Sequence, residues 1–382
     1  MLQNRHLKLV LAAAFLLLSA CTLPSTAEPE PDPIEVDPGL ARALDGSLAE
    51  ILTQAPAPGL TAAIQFSDGS RWSGAAGTTH PADHPEGRAM AAEDRFNIAS
   101  ITKSFVGGLV LKLVDEGLLS LDDSFERWLP GGHPRGAEIT VQQLLQHTAG
   151  VPGYMIRAPF QNNYTASWTD EELLAIIDGL PLLNEPGAAW AYSNSHFIML
   201  SLIVSAATGQ PWREALQEQI LQPNELSQSL MPATADGWGD IVPSWLGDEP
   251  FPLIMQPSGA GAAGGMVSGA EDLARWTQIR FGGNFLSTEL NELETEGLLQ
   301  LGGGTWAALG AVVVEFSETG PQHGHDGALN GYVGWSGYRP DIDASISLLG
   351  NAWGEGDPPD FSYPLELHLK LWEEVDAHLA TD

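Results

Sequence analysis

The sequence predicts an α+β fold, an antiparallel sheet flanked by helices with an inserted, mostly helical domain. Strand patterns lie near both ends of the chain, whereas the middle repeats apolar residues at helical spacing. Because strands bracket the helical region, we expect an α/β domain built from discontinuous segments. Its residues would be 39–100 and 266–382, and residues 101–265 would form a helical domain with loops.

The elements of the first half follow from spacing and turn residues. Leu40, Leu44 and Leu48 recur every four residues and predict a helix that ends before Pro56. Apolar runs at 60–66 and 71–77 flank an Asp-Gly pair, which predicts a hairpin. One further helix is predicted from Ser100 to Gly117. Thr140 and Thr169 are expected to cap two more, the second running towards Asp178. The last two are predicted from 197 to Gly209 and from Trp212 onwards.

The second half begins with proline-rich and glycine-rich loops at 223–257, typical of a substrate rim. Ser268 and Glu271 have capping-box spacing and predict a helix through Phe281. Strands are then predicted at 306–316, 332–338 and 344–349, and a closing helix at 361–379.

The charge balance excludes one class of partner. The 382 residues include 16 Lys and Arg against 49 Asp and Glu, a formal net charge of −33. Such a surface repels phosphate backbones and anionic lipid headgroups, so we expect no nucleic-acid partner.

The N-terminus has the pattern of an export signal. Arg5 and Lys8 precede a short apolar run that ends in Ser19, Ala20 and Cys21. This pattern resembles the bacterial lipoprotein signal, which implies a signal peptide at 1–20 and lipidation of Cys21. An acidic, proline-rich tether at 21–38 would then join a lipid-anchored, extracytoplasmic domain to the cell envelope. An ordinary secretory signal or an uncleaved anchor stays open.

Ser100 and Lys103 form the first candidate catalytic pair. Residues i and i+3 share one helix face, so the serine hydroxyl and the lysine amine would lie side by side. A serine at a helix N-terminus with an adjacent amine suits a nucleophile and its base. A capping serine followed by a surface lysine is the ordinary alternative for so short a pattern.

Two further short motifs follow in the chain. Tyr192 and Asn194 precede the apolar helix, and His325 and Gly327 lie just before a predicted strand. Each pair taken singly is more typical of packing or of a turn.

Taken in order, the three motifs resemble those of the penicillin-recognising serine hydrolases: DD-peptidases, AmpC-type β-lactamases, esterases and D-aminopeptidases. The blocks 96–105, 144–150, 192–194 and 264–268 also look like this family, and the resemblance covers roughly residues 40–380. It implies the β-lactamase/transpeptidase-like fold and an acyl-enzyme mechanism without a metal or other cofactor, acting on a small-molecule or peptide substrate.

The resemblance also implies roles for individual residues. Ser100 would be the nucleophile, and Lys103 and Tyr192 would share the role of base, an assignment that stays open. Asn194 would hold the substrate and help to position Lys103, and His325 would lie near Tyr192. The substrate-binding and oxyanion set comprises Asn194, His325, Gly327 and Ala328, with the backbone N–H groups of Ser100 and Ala328 as the oxyanion hole.

The chain departs from the family where a substrate carboxylate would bind. Asp326 and Ala328 replace the usual threonines, and no Lys or Arg lies between Phe281 and Tyr338. An acidic side chain would repel a carboxylate, which favours an ester, or a D-amino-acid amide or peptide, without one. A DD-carboxypeptidase or β-lactamase stays open, because Arg157 or Arg339 could supply the positive charge.

Other classes of protein fit less well. A metal hydrolase would use His323, His325 and Asp326, but the usual zinc spacings are lacking. A Ser-His-Asp α/β-hydrolase would need a Gly-x-Ser-x-Gly elbow, which the sequence does not contain. A non-catalytic binding or sensor module on the same fold stays open.

Overall fold

An antiparallel sheet of eight strands lies at the centre of the protein, in the order β2-β1-β12-β11-β10-β9-β8-β7. The structure is a computed structural model that describes residues 34–232, 238–252, 254–356 and 359–381, with the side chains at 295 and 296 excepted. The predicted signal peptide, Cys21 and the tether up to residue 33 lie outside these residues. The sheet strands are β1 (Gly59–Phe66), β2 (Arg71–Gly77), β7 (Leu299–Gly302), β8 (Thr305–Ala307), β9 (Val312–Phe316), β10 (Gly320–Leu329), β11 (Tyr332–Arg339) and β12 (Ala344–Gly350).

Short strands and helices complete the chain. The short strands are β3 (Phe96–Asn97), β4 (Trp245–Leu246), β5 (Glu249–Pro250), β6 (Val267–Ser268) and β13 (Ala352–Trp353). The helices are α1 (Pro38–Gln54), α2 (Thr102–Asp115), α3 (Phe125–Trp128), α4 (Val141–Leu145), α5 (Ala158–Gln161), α6 (Asp170–Ala175), α7 (Asn194–Thr208), α8 (Trp212–Leu216), α9 (Pro257–Ala260), α10 (Ala270–Phe281), α11 (Thr288–Glu296), α12 (Tyr363–Leu367) and α13 (Leu369–Leu379). Of the described helices, none is both long and apolar enough to cross a bilayer.

The two faces of the sheet are covered by different helices. On one face, α1 buries Leu40, Leu44 and Leu48 in an apolar cluster that also holds Trp335 and Trp372. The opposite face packs against α10 and joins a larger cluster centred on α2 and α7. Mixed strands and helices in this arrangement confirm the predicted α+β class. Residues from 34 onwards form one compact unit, and the division at 100 and 266 stays a prediction.

Several predicted elements agree with the structure. The Asp68-Gly69 turn joins β1 to β2, with Gly69 at φ +88°. The capping threonines Thr140 and Thr169 each accept a backbone N–H three residues on, and α7 ends at Gly209 with φ +72°. Local hydrogen bonds and glycine's tolerance of positive φ fix these features, so short stretches of sequence suffice to predict them.

Other predicted elements need correction. Ser268 does not cap α10, because its hydroxyl bonds the Ser229 hydroxyl at 2.8 Å and the Gly269 carbonyl at 3.1 Å. The predicted strand 306–316 is the hairpin β8–β9, and its turn lies against α2 at Gly310. The predicted helix 361–379 is two helices that meet at His368, and α6 ends at Ala175, short of Asp178.

Candidate active site

Ser100 lies in a 3₁₀ turn, Ala99–Ile101, that leads directly into α2. The preceding strand β3 pairs with β6, and the Ile98 N–H bonds the Met266 carbonyl at 3.0 Å. Ala99 is held at φ +48°, a left-handed conformation that is costly for a residue with a Cβ. The turn therefore presents Ser100 at the N-terminus of the helical segment, where backbone N–H groups have no intrahelical acceptor.

Lys103 lies one turn further along and is fully buried. Its Nζ is 3.0 Å from Ser100 Oγ and donates to the Ala263 carbonyl at 2.6 Å. The rings of Tyr192 and Phe197 lie 4.9 Å and 5.5 Å from the same nitrogen. This enclosure holds the amine against the hydroxyl that sequence spacing placed beside it.

Burial changes the protonation of this amine. It lowers the pKa of Lys103 to about 7, while the nearby Asp326 carboxylate acts in the opposite direction. A shift of this size corresponds to about 5 kcal/mol in favour of the neutral amine. Near neutral pH, a substantial fraction of Lys103 is therefore deprotonated, and its lone pair can accept the proton of the Ser100 hydroxyl.

Tyr192 completes a group of three. Its hydroxyl is 2.8 Å from Ser100 Oγ, although the two residues are 92 positions apart in sequence. Burial raises the pKa of Tyr192, the hydrogen bond with Ser100 lowers it by less, and the net shift is upward. The phenol therefore stays protonated at neutral pH, while 39% of the residue remains exposed to a substrate.

His147 positions Tyr192, a role that the sequence did not reveal. Its carbonyl accepts the Ala191 N–H at 2.8 Å and its Nδ1 accepts the Ser193 N–H at 3.3 Å, so it binds both neighbours of the tyrosine. The imidazole also lies 4.5 Å from the Tyr192 ring and 3.1 Å, nitrogen to nitrogen, from His196. The block 144–150 drew attention to this residue, but its partner loop is distant in sequence.

We expect His147→Leu to lower kcat by about 10- to 100-fold, the cost of leaving one buried N–H unpaired beside the site. Burial holds the pKa of His147 well below its ordinary value, so the imidazole stays neutral during catalysis. The kcat–pH profile of the variant should therefore keep the wild-type midpoint, and His147→Asn, which keeps an acceptor, should recover part of the loss. His133 is a matched control because its Nδ1 also accepts a backbone N–H, at 3.2 Å from Arg135. Equal losses in His147→Leu and His133→Leu would contradict the positioning role.

Asn194 is the first residue of α7 and is half-buried. Its amide nitrogen lies 3.0 Å from Met155 Sδ. Within the described part of the chain no hydrogen bond joins Asn194 to Lys103, whose partners are Ser100 and the Ala263 carbonyl. Asn194 therefore borders the site beside Met155, and its expected role in positioning Lys103 stays a prediction.

His325 and Gly327 precede the predicted strand, which is β11, but they also lie inside β10, a strand that was not predicted. Strand β9 pairs only with residues up to Gly324, so the second half of β10 has an open edge beside the turn that holds Ser100. A Cβ on Gly327 would lie 2.4 Å from the Ile98 carbonyl oxygen. Only glycine permits this approach, which gives the motif a physical reason.

The backbone of Ala328 points to the same open edge. A two-residue turn, Asn330-Gly331, joins β10 to β11, with positive φ at both positions. Leu329 and Tyr332 close this turn as a hydrogen-bonded pair, so the alternation of the ladder directs the Ala328 N–H away from β11. The N–H groups of Ser100 and Ala328 are thus candidates for one oxyanion hole.

His325 and Asp326 interact with each other. His325 is 5% exposed, and its Nδ1 lies 2.6 Å from the Asp326 carbonyl oxygen and 3.4 Å from the Asp326 carboxylate. Partial desolvation opposes ionisation of Asp326, but the His325 imidazole, a backbone N–H and the nearby Lys103 amine together favour it by more, so the pKa of the carboxyl is lowered. The Asp326 side chain is 60% exposed and carries a negative charge at the site. Among the described residues no hydrogen bond joins His325 to Tyr192.

The two arginines considered for carboxylate binding lie in different places. Arg339 is 4% exposed and bonds Asp341 and Asp376, so it is not available to a substrate. Arg157 is half-buried, two residues after Met155, and donates from Nε to the Gly153 carbonyl at 3.3 Å. Arg157 is therefore the candidate that remains.

Comparison with known proteins agrees with this geometry. The family model described as Beta-lactamase matches residues 44–368. Esterase EstB of Burkholderia gladioli is 28% identical over 337 residues, 76% of this chain and 84% of the esterase. Penicillin-binding protein 4* of Bacillus subtilis is 29% identical over 150 residues, 39% of this chain but only 33% of that longer protein. The D-stereospecific amidohydrolase from Streptomyces sp. is 26% identical with a TM-score of 0.71, covering 87% of this chain and 97% of its own.

Proposed function

Since this chain belongs to the beta-lactamase family, we propose that it hydrolyses an ester or an amide through an acyl-enzyme on Ser100. Membership of this family, with an esterase and an amidohydrolase among the relatives, makes it a serine hydrolase. The observation that carries the finer proposal is the Ser100 hydroxyl, 3.0 Å from a buried amine and 2.8 Å from a phenol.

The proposed reaction begins with attack of Ser100 Oγ on the substrate carbonyl carbon. Neutral Lys103 takes the hydroxyl proton, and the N–H groups of Ser100 and Ala328 stabilise the oxyanion. The carbon–oxygen or carbon–nitrogen bond to the leaving group then breaks, and protonated Lys103 returns the proton, through Tyr192, to the departing atom. Water attacks the acyl-enzyme in a second round with the same groups, releasing the acid and restoring Ser100.

Lys103 suits the role of base better than Tyr192. Burial lowers the pKa of the amine to about 7 and raises that of the phenol, so only the amine is substantially deprotonated at neutral pH. Tyr192 then serves as a proton relay and a hydrogen-bond donor.

The preferred substrate would carry no carboxylate beside the scissile bond. Asp326 is ionised, exposed and close enough to influence the pKa values of Lys103 and Tyr192. A carboxylate bound there would be repelled. Simple esters and D-amino-acid amides are therefore the favoured substrates, and D-amino-acid peptides with a free amino group belong to the same class.

Arg157 supports a second candidate, a DD-carboxypeptidase or β-lactamase. Its guanidinium makes no ion pair with the described residues, and it lies close in sequence to Met155, which contacts Asn194. Under this second candidate, a substrate carboxylate would pair with the Arg157 guanidinium.

A panel of p-nitrophenyl esters, D-phenylalanine amide, nitrocefin and a D-Ala-D-Ala peptide distinguishes the two candidates. We expect esters or the amide to be turned over fastest. Asp326→Asn should raise nitrocefin turnover relative to the esters by only about two- to fivefold, because solvent screens the charge of so exposed a carboxylate. Fast nitrocefin hydrolysis by the wild type, lost in Arg157→Ala, would instead establish the second candidate.

We also propose that the protein is lipid-anchored at the bacterial cell envelope through Cys21, with the catalytic domain outside the cytoplasm. The support is the signal-like sequence that ends at this cysteine. Fractionation of cells that express the full chain should place the wild type, but not Cys21→Ser, with the membranes. Equal membrane association of both would overturn this proposal.

A further inference from the structure

Three potential metal ligands converge in the loop between β2 and β3, apart from the groups proposed for catalysis. His80, His84 and Glu86 each offer one ligand atom, and these atoms lie within 4.8 Å of one another. Two successive backbone turns fold the loop, from His84 N–H to the Pro81 carbonyl at 3.2 Å and from Gly87 N–H to the His84 carbonyl at 2.9 Å. The turns bring the three side chains to one place.

The two imidazoles are already oriented. His80 Nδ1 lies 2.8 Å from the Thr79 hydroxyl, and His84 Nδ1 accepts the Glu86 backbone N–H at 3.2 Å. The rings are stacked with centroids 4.4 Å apart, and both contact the Trp245 ring at 5.3 Å and 5.6 Å. His80 Nδ1 can donate to the Thr79 hydroxyl and leave Nε2 free for a metal, as metal-binding histidines do. His84 differs, because its Nδ1 accepts a backbone N–H and so carries the lone pair that a metal would take over.

We propose that His80, His84 and Glu86 form a zinc site, with water at the fourth position. Two imidazoles and one carboxylate are a donor set suited to Zn²⁺, and a small closure of the loop would bring the ligand atoms to coordination distance. The half-buried imidazoles and the exposed carboxylate leave the site accessible to ions from solvent. The formal net charge of −33 favours a bound cation further.

A metal here would stiffen a loop that is fixed at its start. The Thr79 carbonyl accepts from Trp245 Nε1 and Asn351 Nδ2, each at 3.0 Å. Asn351 in turn accepts the Gly59 N–H at 3.1 Å, which ties the same point to β1. Zinc bound beside these contacts would hold residues 80–86 against Trp245. We therefore expect bound zinc to stabilise this loop, and we expect the site to be separate from ester hydrolysis.

Calorimetric titration of the chelator-treated, full-length protein with zinc chloride tests this assignment. We expect one saturable site and a melting temperature that rises with zinc concentration. Glu86→Gln should bind zinc at least tenfold more weakly, since perturbing a metal site typically lowers metal affinity by about this factor. His80→Asn with His84→Asn should abolish binding and with it the rise of the melting temperature with zinc. His133→Asn should bind like the wild type, and ester hydrolysis should survive chelation in every variant. No saturable binding, or equal binding by the double variant, would overturn the proposal.

Discussion

Ser100→Ala is expected to lower kcat/KM for an activated ester by about 10³- to 10⁶-fold, the range seen when a serine nucleophile is removed. The reason is geometric, because Ser100 Oγ is the atom shared by Lys103 Nζ at 3.0 Å and Tyr192 Oη at 2.8 Å. Without it the amine and the phenol have no nucleophile to activate. Stopped-flow or plate-reader kinetics with a p-nitrophenyl ester measure the loss directly.

A second serine near the site, in the loop that carries Tyr192, provides the control. Ser193 follows Tyr192, and its buried hydroxyl has no hydrogen-bond partner among the described residues. Ser193→Ala should therefore keep activity within a fewfold of the wild type, while the fold of both variants is checked by circular dichroism. Comparable losses in the two variants would show that loss of any serine hydroxyl near the site disrupts activity. Full activity in Ser100→Ala would exclude the proposed nucleophile.

Lys103→Met is expected to lower kcat by about 10²- to 10⁴-fold, because a positioned general base contributes a factor of this size. In the wild type, the neutral fraction of Lys103 falls as pH drops through its pKa of about 7. The rate should therefore rise with pH, by tenfold per pH unit well below 7, and level off above it. Initial rates from pH 5 to 9 measure this profile, and Lys103→Met should lose it.

The same substitution should make the protein more stable. Burial places the pKa of Lys103 in the folded state, about 7, below the ordinary 10.5, so the unfolded chain binds more protons between these values. Stability then rises with pH across this window, and the destabilising contribution of the lysine is complete below about pH 7. Removing the amine should raise the free energy of unfolding most at low pH, by up to about 5 kcal/mol.

Lys112 is the matched control, because it lies in the same helix, nine residues after Lys103. It is partly exposed at the surface and pairs with Glu116 at 2.7 Å, so Lys112→Met should change neither the rate nor the pH profile. A profile that stays flat from pH 5 to 9 in the wild type, or that persists in Lys103→Met, would contradict Lys103 as base.

Sequence predicted those parts of the fold that local interactions decide. The caps at Thr140 and Thr169 and the turn at Gly69 depend on residues within four positions. Strand β10 was missed because Gly320–Leu329 contains three glycines, a proline and an aspartate, which are depleted in strands. Pairing with β9 and β11 imposes the strand, and that pairing is not visible in a local window.

The same distinction applies to the site. Ser100 and Lys103 are three residues apart, so helix geometry alone predicts their contact. Tyr192 could be found only through the order of the motifs. The contact of the Ala263 carbonyl with Lys103 and that of the His147 ring with the Tyr192 loop could not be found, since each depends on segments that meet only in the folded chain. The structure therefore adds the groups that bury the amine and hold the phenol.

Rapid-quench mass spectrometry tests the central claim most directly. The full-length protein is mixed with a p-nitrophenyl ester, quenched in acid within the first turnover, digested and mapped. We predict one acyl adduct per chain, on the peptide that contains Ser100, formed equally in the presence of a chelator and absent from Ser100→Ala. An adduct on another residue, or turnover with no adduct in a variant whose deacylation is slowed, would contradict a Ser100 acyl-enzyme.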